Sequence, residues 1–176
     1  MKTTNNVYGT ARTIPTELND CAVIAASVAI NIPYAAVHAV FAAAGRKPRR
    51  GTSVRKINAS LASLASAAGA AKPDQVSHLP RVRGQKNLTL AQWLATHRTG
   101  RHLVVVTGHA IAVIDGVVHD WGRATSGPRK RVLYSWDVTP MAYAESKARS
   151  KAPRAFEINW PKLGKRPAVE CPTLDD

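Results

Sequence analysis

Residues 103–121 read LVVVTGHAIAVIDGVVHDW. Two runs rich in β-branched residues, 103–107 and 110–114, are followed by Asp115-Gly116 and a third run, 117–121. Asp-Gly between apolar runs is a strong hairpin signal, because both turn positions need left-handed backbone. Taken as a two-residue loop, it pairs Ile114 with Val117, Val113 with Val118, Ala112 with His119 and Ile111 with Asp120. Strand side chains alternate between faces, so His109, Ile111, Val113, Val118 and Asp120 share one face. His119 and Trp121 fall on the other. His109 and Asp120 become diagonal neighbours, with backbones roughly 7–8 Å apart, inside the reach of a side-chain hydrogen bond. Arg131 to Trp136 adds a further strand candidate.

Upstream the pattern is helical. Cys21 to Ala44 runs without a charge and is followed by Arg46, Lys47, Arg49 and Arg50. Length and basic flank resemble a membrane span. Asn31-Ile32-Pro33 interrupts the run, so two buried helices are expected instead. The first spans Cys21 to Ile30, with Asn19 and Asp20 as N-cap types. The second starts at Pro33 and stops at Gly45. Thr52 or Ser53 opens a third helix, where Val54, Ile57, Leu61 and Leu64 form one apolar face. Residues 69–88 read as irregular. Thr89-Leu90-Ala91-Gln92 is a capping box for a fourth helix, expected to end near Gly100. Helices precede strands, which implies α+β organisation: an arm over 1–18, a domain over 19–140 and a basic extension over 141–176.

The chain has 176 residues, enough for a core without metal or disulfide staples. Cys21 and Cys171 are too few for a disulfide framework or a four-cysteine zinc site. His38, His78, His97 and His102 lack metal-ligand spacing, so neither metal nor cofactor is expected. No signal-peptide pattern is evident, and the expected location is cytoplasmic.

Cys21 stands at a helix start, where backbone N–H groups and the helix dipole favour a thiolate. A carboxylate on Asp20 opposes this where it faces the sulfur. A thiol there, with a His–Asp pair on a hairpin, is the set needed for nucleophilic catalysis. The plain alternatives are a cysteine acting as a small core residue, a histidine satisfied by a carbonyl, and an aspartate ending a strand. Trp121 and Trp136 read as packing residues, and Asp115 as a turn builder.

Asn19-Asp20-Cys21 leading into a buried helix, with Gly108-His109-Ala110-Ile111-Ala112-Val113 far downstream, resembles the papain-like cysteine peptidases. The order is similar to bacteriocin-processing double-glycine peptidases and to small phage and bacterial peptidase-like proteins. The resemblance spans about residues 19–122 and implies helices packed on an antiparallel sheet. It implies thiol-dependent amide cleavage, with Cys21 as nucleophile, His109 as base and Asp120 as the orienting residue. A phage origin would place the protein in the host cytoplasm. That family usually carries a Gln five or six residues before the Cys, to hold the oxyanion. Thr16 and Pro15 stand there in this chain, so Asn19 with the Cys21 N–H is the candidate replacement. Losing one such donor can cost ~10²–10³ in rate.

Lys plus Arg number 25 against 11 Asp plus Glu, a formal charge of +14. The basic residues cluster at Arg46, Lys47, Arg49, Arg50, Arg55 and Lys56, at Arg123, Arg129, Lys130 and Arg131, and again in the tail. These clusters make nonspecific nucleic acid or an acidic protein a candidate partner, through Arg46, Lys47, Arg49, Arg50, Arg129, Lys130 and Arg131. The alternative function is therefore a weak or inactive papain-like protein that binds through this surface. No zinc finger, ribonucleoprotein motif or Gly-rich phosphate loop is present.

Overall fold

The computed structural model describes residues 3–4, 17–79, 86–120 and 127–142. Pro15, Thr16, Trp121, Arg123, Cys171 and the basic stretch from 146 lie outside them. The order is β1 (Thr3–Thr4), α1 (Cys21–Ile30), α2 (Tyr34–Ala43), α3 (Val54–Ala67), β2 (Gln75–Ser77), α4 (Leu90–Thr96), β3 (Arg101–Val106), β4 (His109–Ile114), β5 (Val117–His119) and β6 (Val132–Asp137). One six-stranded sheet runs β1-β5-β4-β3-β6-β2, antiparallel except for β1 against β5. The fold is α+β, with the helices α1 to α3 ahead of the main strands.

The uncharged run breaks where expected. Asn31 takes the left-handed conformation that closes α1, at φ 65°. Among the described residues, no helix is long and apolar enough to cross a membrane. Nine of the ten α1 residues are buried, because the helix lies against β3 and β4 on one side and α2 on the other. Its alanines meet Ala110 and Ala112 of the sheet, small side chains that let the layers approach closely. Val23, Ile24, Val28 and Ile30 then supply the larger apolar area, each worth roughly 1.5–3 kcal/mol when fully buried. Arg101 fixes the other end of α1. Its guanidinium donates to the carbonyls of Ala29 and Val28, at 2.5 and 2.8 Å, which answers acceptors a helix end leaves open.

The opposite face of the sheet is covered by α4. Leu90 and Trp93 pack on Val104, Val106, Ile111, Val113, Val118 and Val132. The capping box at Thr89 and Gln92 is present. The sheet alternates as read, with one exception in β6. Val105 pairs Tyr134 while Val106 pairs Val132. The extra residue, Leu133, is a bulge. It lets Val132 face α4 while Tyr134 and Trp136 face α1.

Several boundaries differ from the sequence reading. Residues 69–88 contain a strand: β2 pairs with β6 at the sheet edge. Its three residues are all exposed, so it carries no alternation that periodicity could detect. The fourth helix ends at Thr96, where His97 departs from helical geometry. Ser53 sits at the N-cap of α3 by backbone, without a side-chain cap bond. Thr3–Thr4, in the expected arm, joins the sheet beside β5.

Candidate active site

The hairpin register is the one the Asp-Gly turn dictates: Ile114 with Val117, Val113 with Val118 and Ala112 with His119. Asp115 and Gly116 both have positive φ, 49° and 74°. The Asp115 carboxylate accepts from Gly100 N–H at 3.0 Å, so Asp115 builds the turn. One residue past β5, the Asp120 carboxylate meets His109 Nε2 at 2.9 Å. Asp120 is fully buried and His109 is partly open to solvent, with its side chain 21% exposed.

Cys21 opens α1 and is half-buried with a free thiol. Its side chain lies close enough to the His109 imidazole to favour the protonated ring. With Nε2 turned to Asp120, Nδ1 is the ring nitrogen left for the sulfur. The Asp120 hydrogen bond is the main cause holding His109 protonated up to a pKa of about 9, from an ordinary 6.5. The nearby Cys21 adds to it, and burial opposes both. The three residues expected to meet, 11 and 88 positions apart along the chain, therefore converge at one end of the sheet. His119 lies on the other face as read. Burial pushes its imidazole below the usual range, with help from the charge on Arg101.

Asp20 is the backbone N-cap of α1 but makes no side-chain cap bond. Its Oδ2 instead accepts from the buried Tyr34 hydroxyl at 2.8 Å, which draws the carboxylate toward α2. Asn19 is left-handed, at φ 55°, and its Nδ2 donates to the Arg49 carbonyl at 3.2 Å.

A pocket of about 320 Å³ lies over the thiol, lined by Asn19, Asp20, Cys21, Gly51, Gly108 and His109. Gly51 and Gly108 line it without side chains. A Cβ on either would meet nothing within 4 Å, and Gly108 has φ +75°.

Sequence reasoning missed what holds this pocket in shape. Glu17, four residues before Cys21, is buried. Its carboxylate accepts from His38 Nε2 at 2.9 Å, from Arg46 at 3.0 Å, and from the backbone N–H groups of Arg49 and Leu18 at 2.6 and 3.2 Å. The Arg46 guanidinium is the main cause that depresses Glu17 to a pKa of about 2. This cluster ties the segment leading into Cys21 to the loop that delivers Gly51. Arg46 is thereby removed from the basic surface: it is 4% exposed, since its charge is spent on Glu17. Lys47, Arg49, Arg50, Arg129 and Lys130 are exposed as expected, and Arg131 is half-buried, donating to the Asn87 carbonyl at 2.8 Å. Trp136 is a packing residue, buried and donating to Asn58 Oδ1 at 2.7 Å. Among the described residues no group of His, Cys, Asp and Glu could hold a metal ion.

No protein-family model, curated protein or solved structure matches the chain.

Proposed function

We propose that the protein is a cysteine peptidase-like amide hydrolase on a papain-like fold, with Cys21, His109 and Asp120 as its triad. The observation that carries this reading is a half-buried helix-start thiol sharing a pocket with His109, whose imidazole is hydrogen-bonded to a buried carboxylate. A nucleophile, a base and a group orienting the base are the minimum for acyl chemistry. Buried structural cysteines are seldom given an imidazole at the mouth of an open pocket.

In this reading His109 takes the Cys21 proton at Nδ1 and the sulfur attacks the carbonyl carbon. Negative charge collects on the carbonyl oxygen. The Cys21 N–H belongs to the first turn of α1, where no intrahelical acceptor exists, and it points its dipole at that charge. Asn19 has one amide hydrogen on Arg49 and a second for the oxyanion. It takes the role that a Gln before the Cys plays in papain-like enzymes. The imidazolium then protonates the leaving amine, a thioester remains on Cys21, and water releases the acid. Asp120 stabilises the imidazolium throughout.

The test uses the full chain carrying Cys171→Ser, so that one thiol remains. The chain is incubated with a tryptic peptide mixture and new termini are read by mass spectrometry. Cleavage should vanish in Cys21→Ala and in His109→Ala. At pH 6, iodoacetamide should alkylate Cys21 at least ~10-fold faster in the parent than in His109→Ala. Equal alkylation rates in the two chains, or cleavage that survives Cys21→Ala, would overturn the assignment.

A further inference from the structure

We propose that the substrate strand entering the Cys21 pocket is acidic, an extended peptide with Asp or Glu beside the bond attacked. This rests on the thiol reading above and concerns what that site accepts.

Charge is distributed unevenly around the two glycines of the pocket. Arg49 and Arg50 immediately precede Gly51, with Lys47 just before them, and all three are exposed. The other glycine is Gly108, in the turn between β3 and β4. Lys130 reaches that turn: its Nζ donates to the Thr107 carbonyl at 3.4 Å. The turn is also tied to the same loop by Thr107 N–H to the Arg131 carbonyl at 3.1 Å. Lys130 and its neighbour Arg129 are exposed. Both lips of the pocket therefore carry solvent-facing cations.

The acids are placed the other way. Of the six described acidic residues, Glu17, Asp20 and Asp120 lie at the pocket end, and all three are buried. Each is already engaged: Glu17 by Arg46 and His38, Asp20 by Tyr34, Asp120 by His109. The three exposed ones, Asp74, Asp115 and Asp137, sit at the opposite end of the sheet. The register shows it. His109 pairs with Val106 and Val106 with Val132 at one end. At the other, His102 pairs with Asp137, Asp115 follows β4, and Asp74 precedes the residue paired with Trp136. That far end also holds Arg98 and Arg101, so its charge is mixed. At the pocket end every exposed charge among the described residues is basic.

A cleft lined by one sign of charge raises the local concentration of the opposite sign and selects against like charge. Gly51 and Gly108 put no side chains into the pocket, so a substrate backbone can approach there while its acidic side chains reach the flanking cations. A peptide fits better than nucleic acid, because the cations flank a thiol whose chemistry needs an acyl carbon. Burial of Arg46 also removes one of the cations a phosphate backbone would have used.

The experiment reads protection of Cys21 from iodoacetamide in the full chain carrying Cys171→Ser. The probes are a short Glu-Gly repeat peptide, its Gln-Gly counterpart and a single-stranded oligodeoxynucleotide. The Glu-Gly peptide should slow alkylation and the Gln-Gly peptide should not. Protection should weaken roughly tenfold in about 0.5 M NaCl, where the Debye length shrinks to a few ångströms. Arg50→Glu with Lys130→Glu should abolish it, while Arg98→Glu at the far end should leave it intact. Equal protection by the two peptides, or stronger protection by the oligodeoxynucleotide than by the acidic peptide, would overturn the proposal. Those results leave the thiol reading standing if His109→Ala still slows alkylation. If it does not, the thiol reading itself has failed, and the substrate proposal falls with it.

Discussion

Two buried carboxylates flank Cys21, and each holds a histidine at 2.9 Å: Glu17 with His38 on the helical side, Asp120 with His109 on the sheet side. The pairs look alike and their surroundings differ. Glu17 also faces the Arg46 guanidinium at 3.0 Å, a cation that cannot shed its proton. Its charge is permanently answered, and the cluster acts as a bolt between the Cys21 approach and the Gly51 loop. Asp120 faces an imidazole that can give up its proton, and that imidazole also contacts the thiol. On the proposed reading, the same carboxylate–histidine motif is structural where a fixed cation completes it and catalytic where the titratable partner faces a cleft.

The largest expected effect separates the two on different readouts. Asp120→Asn should lower turnover by ~10²–10⁴, the usual weight of positioned acid–base catalysis. Its stability loss should be confined to pH below about 9, where His109 is protonated, and should be smaller than that of Glu17→Gln, because His109 is partly solvated and can become neutral. Glu17→Gln should do the reverse. It leaves Arg46 buried without a counter-charge, a loss of about 3–5 kcal/mol, while the surviving folded fraction keeps much of its turnover. Urea unfolding and cleavage rates on both variants check the pattern. A stable Glu17→Gln chain would break the comparison.

Acid and base titrations sharpen it further. Glu17 is depressed from 4.5 to about 2. Its contribution is present above 4.5 and is lost as pH falls through about 2. His109 is raised from 6.5 to about 9. Its contribution is complete below 6.5 and is lost as pH rises through about 9. Stability against pH should therefore fall at both ends. Glu17→Gln should flatten the acid limb only, and Asp120→Asn the alkaline limb only. Turnover should also decline above about 9, as the proton for the leaving amine disappears. Thermal melts from acid to alkaline pH on the three chains would show the limbs.

The same contrast explains what could be read from the sequence. His109 and Asp120 are separated by one tight hairpin, and Asp115-Gly116 fixes its register. Their meeting follows from period-two alternation alone. Both helices of the uncharged run were legible for a similar reason: Asn31 and Pro33 are local signals. Glu17 is 29 residues from Arg46 and 32 from Arg49, with α1 and α2 between them. No local pattern specifies how two buried helices return the chain to its start, so a lone acid before the Cys gives no hint of its partners. The edge strand β2 was illegible because all its residues are exposed, which removes the apolar alternation that marks a strand. Gly51 was missed because it takes its role from the Glu17 bolt, and no unusual backbone signals it.

If hairpin register is what made one pair legible, disturbing the hairpin should affect that pair in proportion. Gly116 has φ +74°, and a Cβ there would stand 3.2 Å from the Arg98 carbonyl oxygen. Gly116→Ala meets both a left-handed backbone cost and a contact the Arg98 backbone must relieve, about 1–2 kcal/mol together. The ladder from Ile114–Val117 to Ala112–His119 has apolar neighbours on both faces. A one-residue slip of β5 would turn Val118 away from its core face while β4 stays registered on β3, which costs more than the strained turn. The register should therefore survive, and with it the His109–Asp120 bond, so turnover should fall by less than ~10-fold while the melting temperature drops. A loss as large as that of Asp120→Asn would mean that the turn geometry reaches the imidazole directly, and that the sheet around the pair is softer than its packing implies.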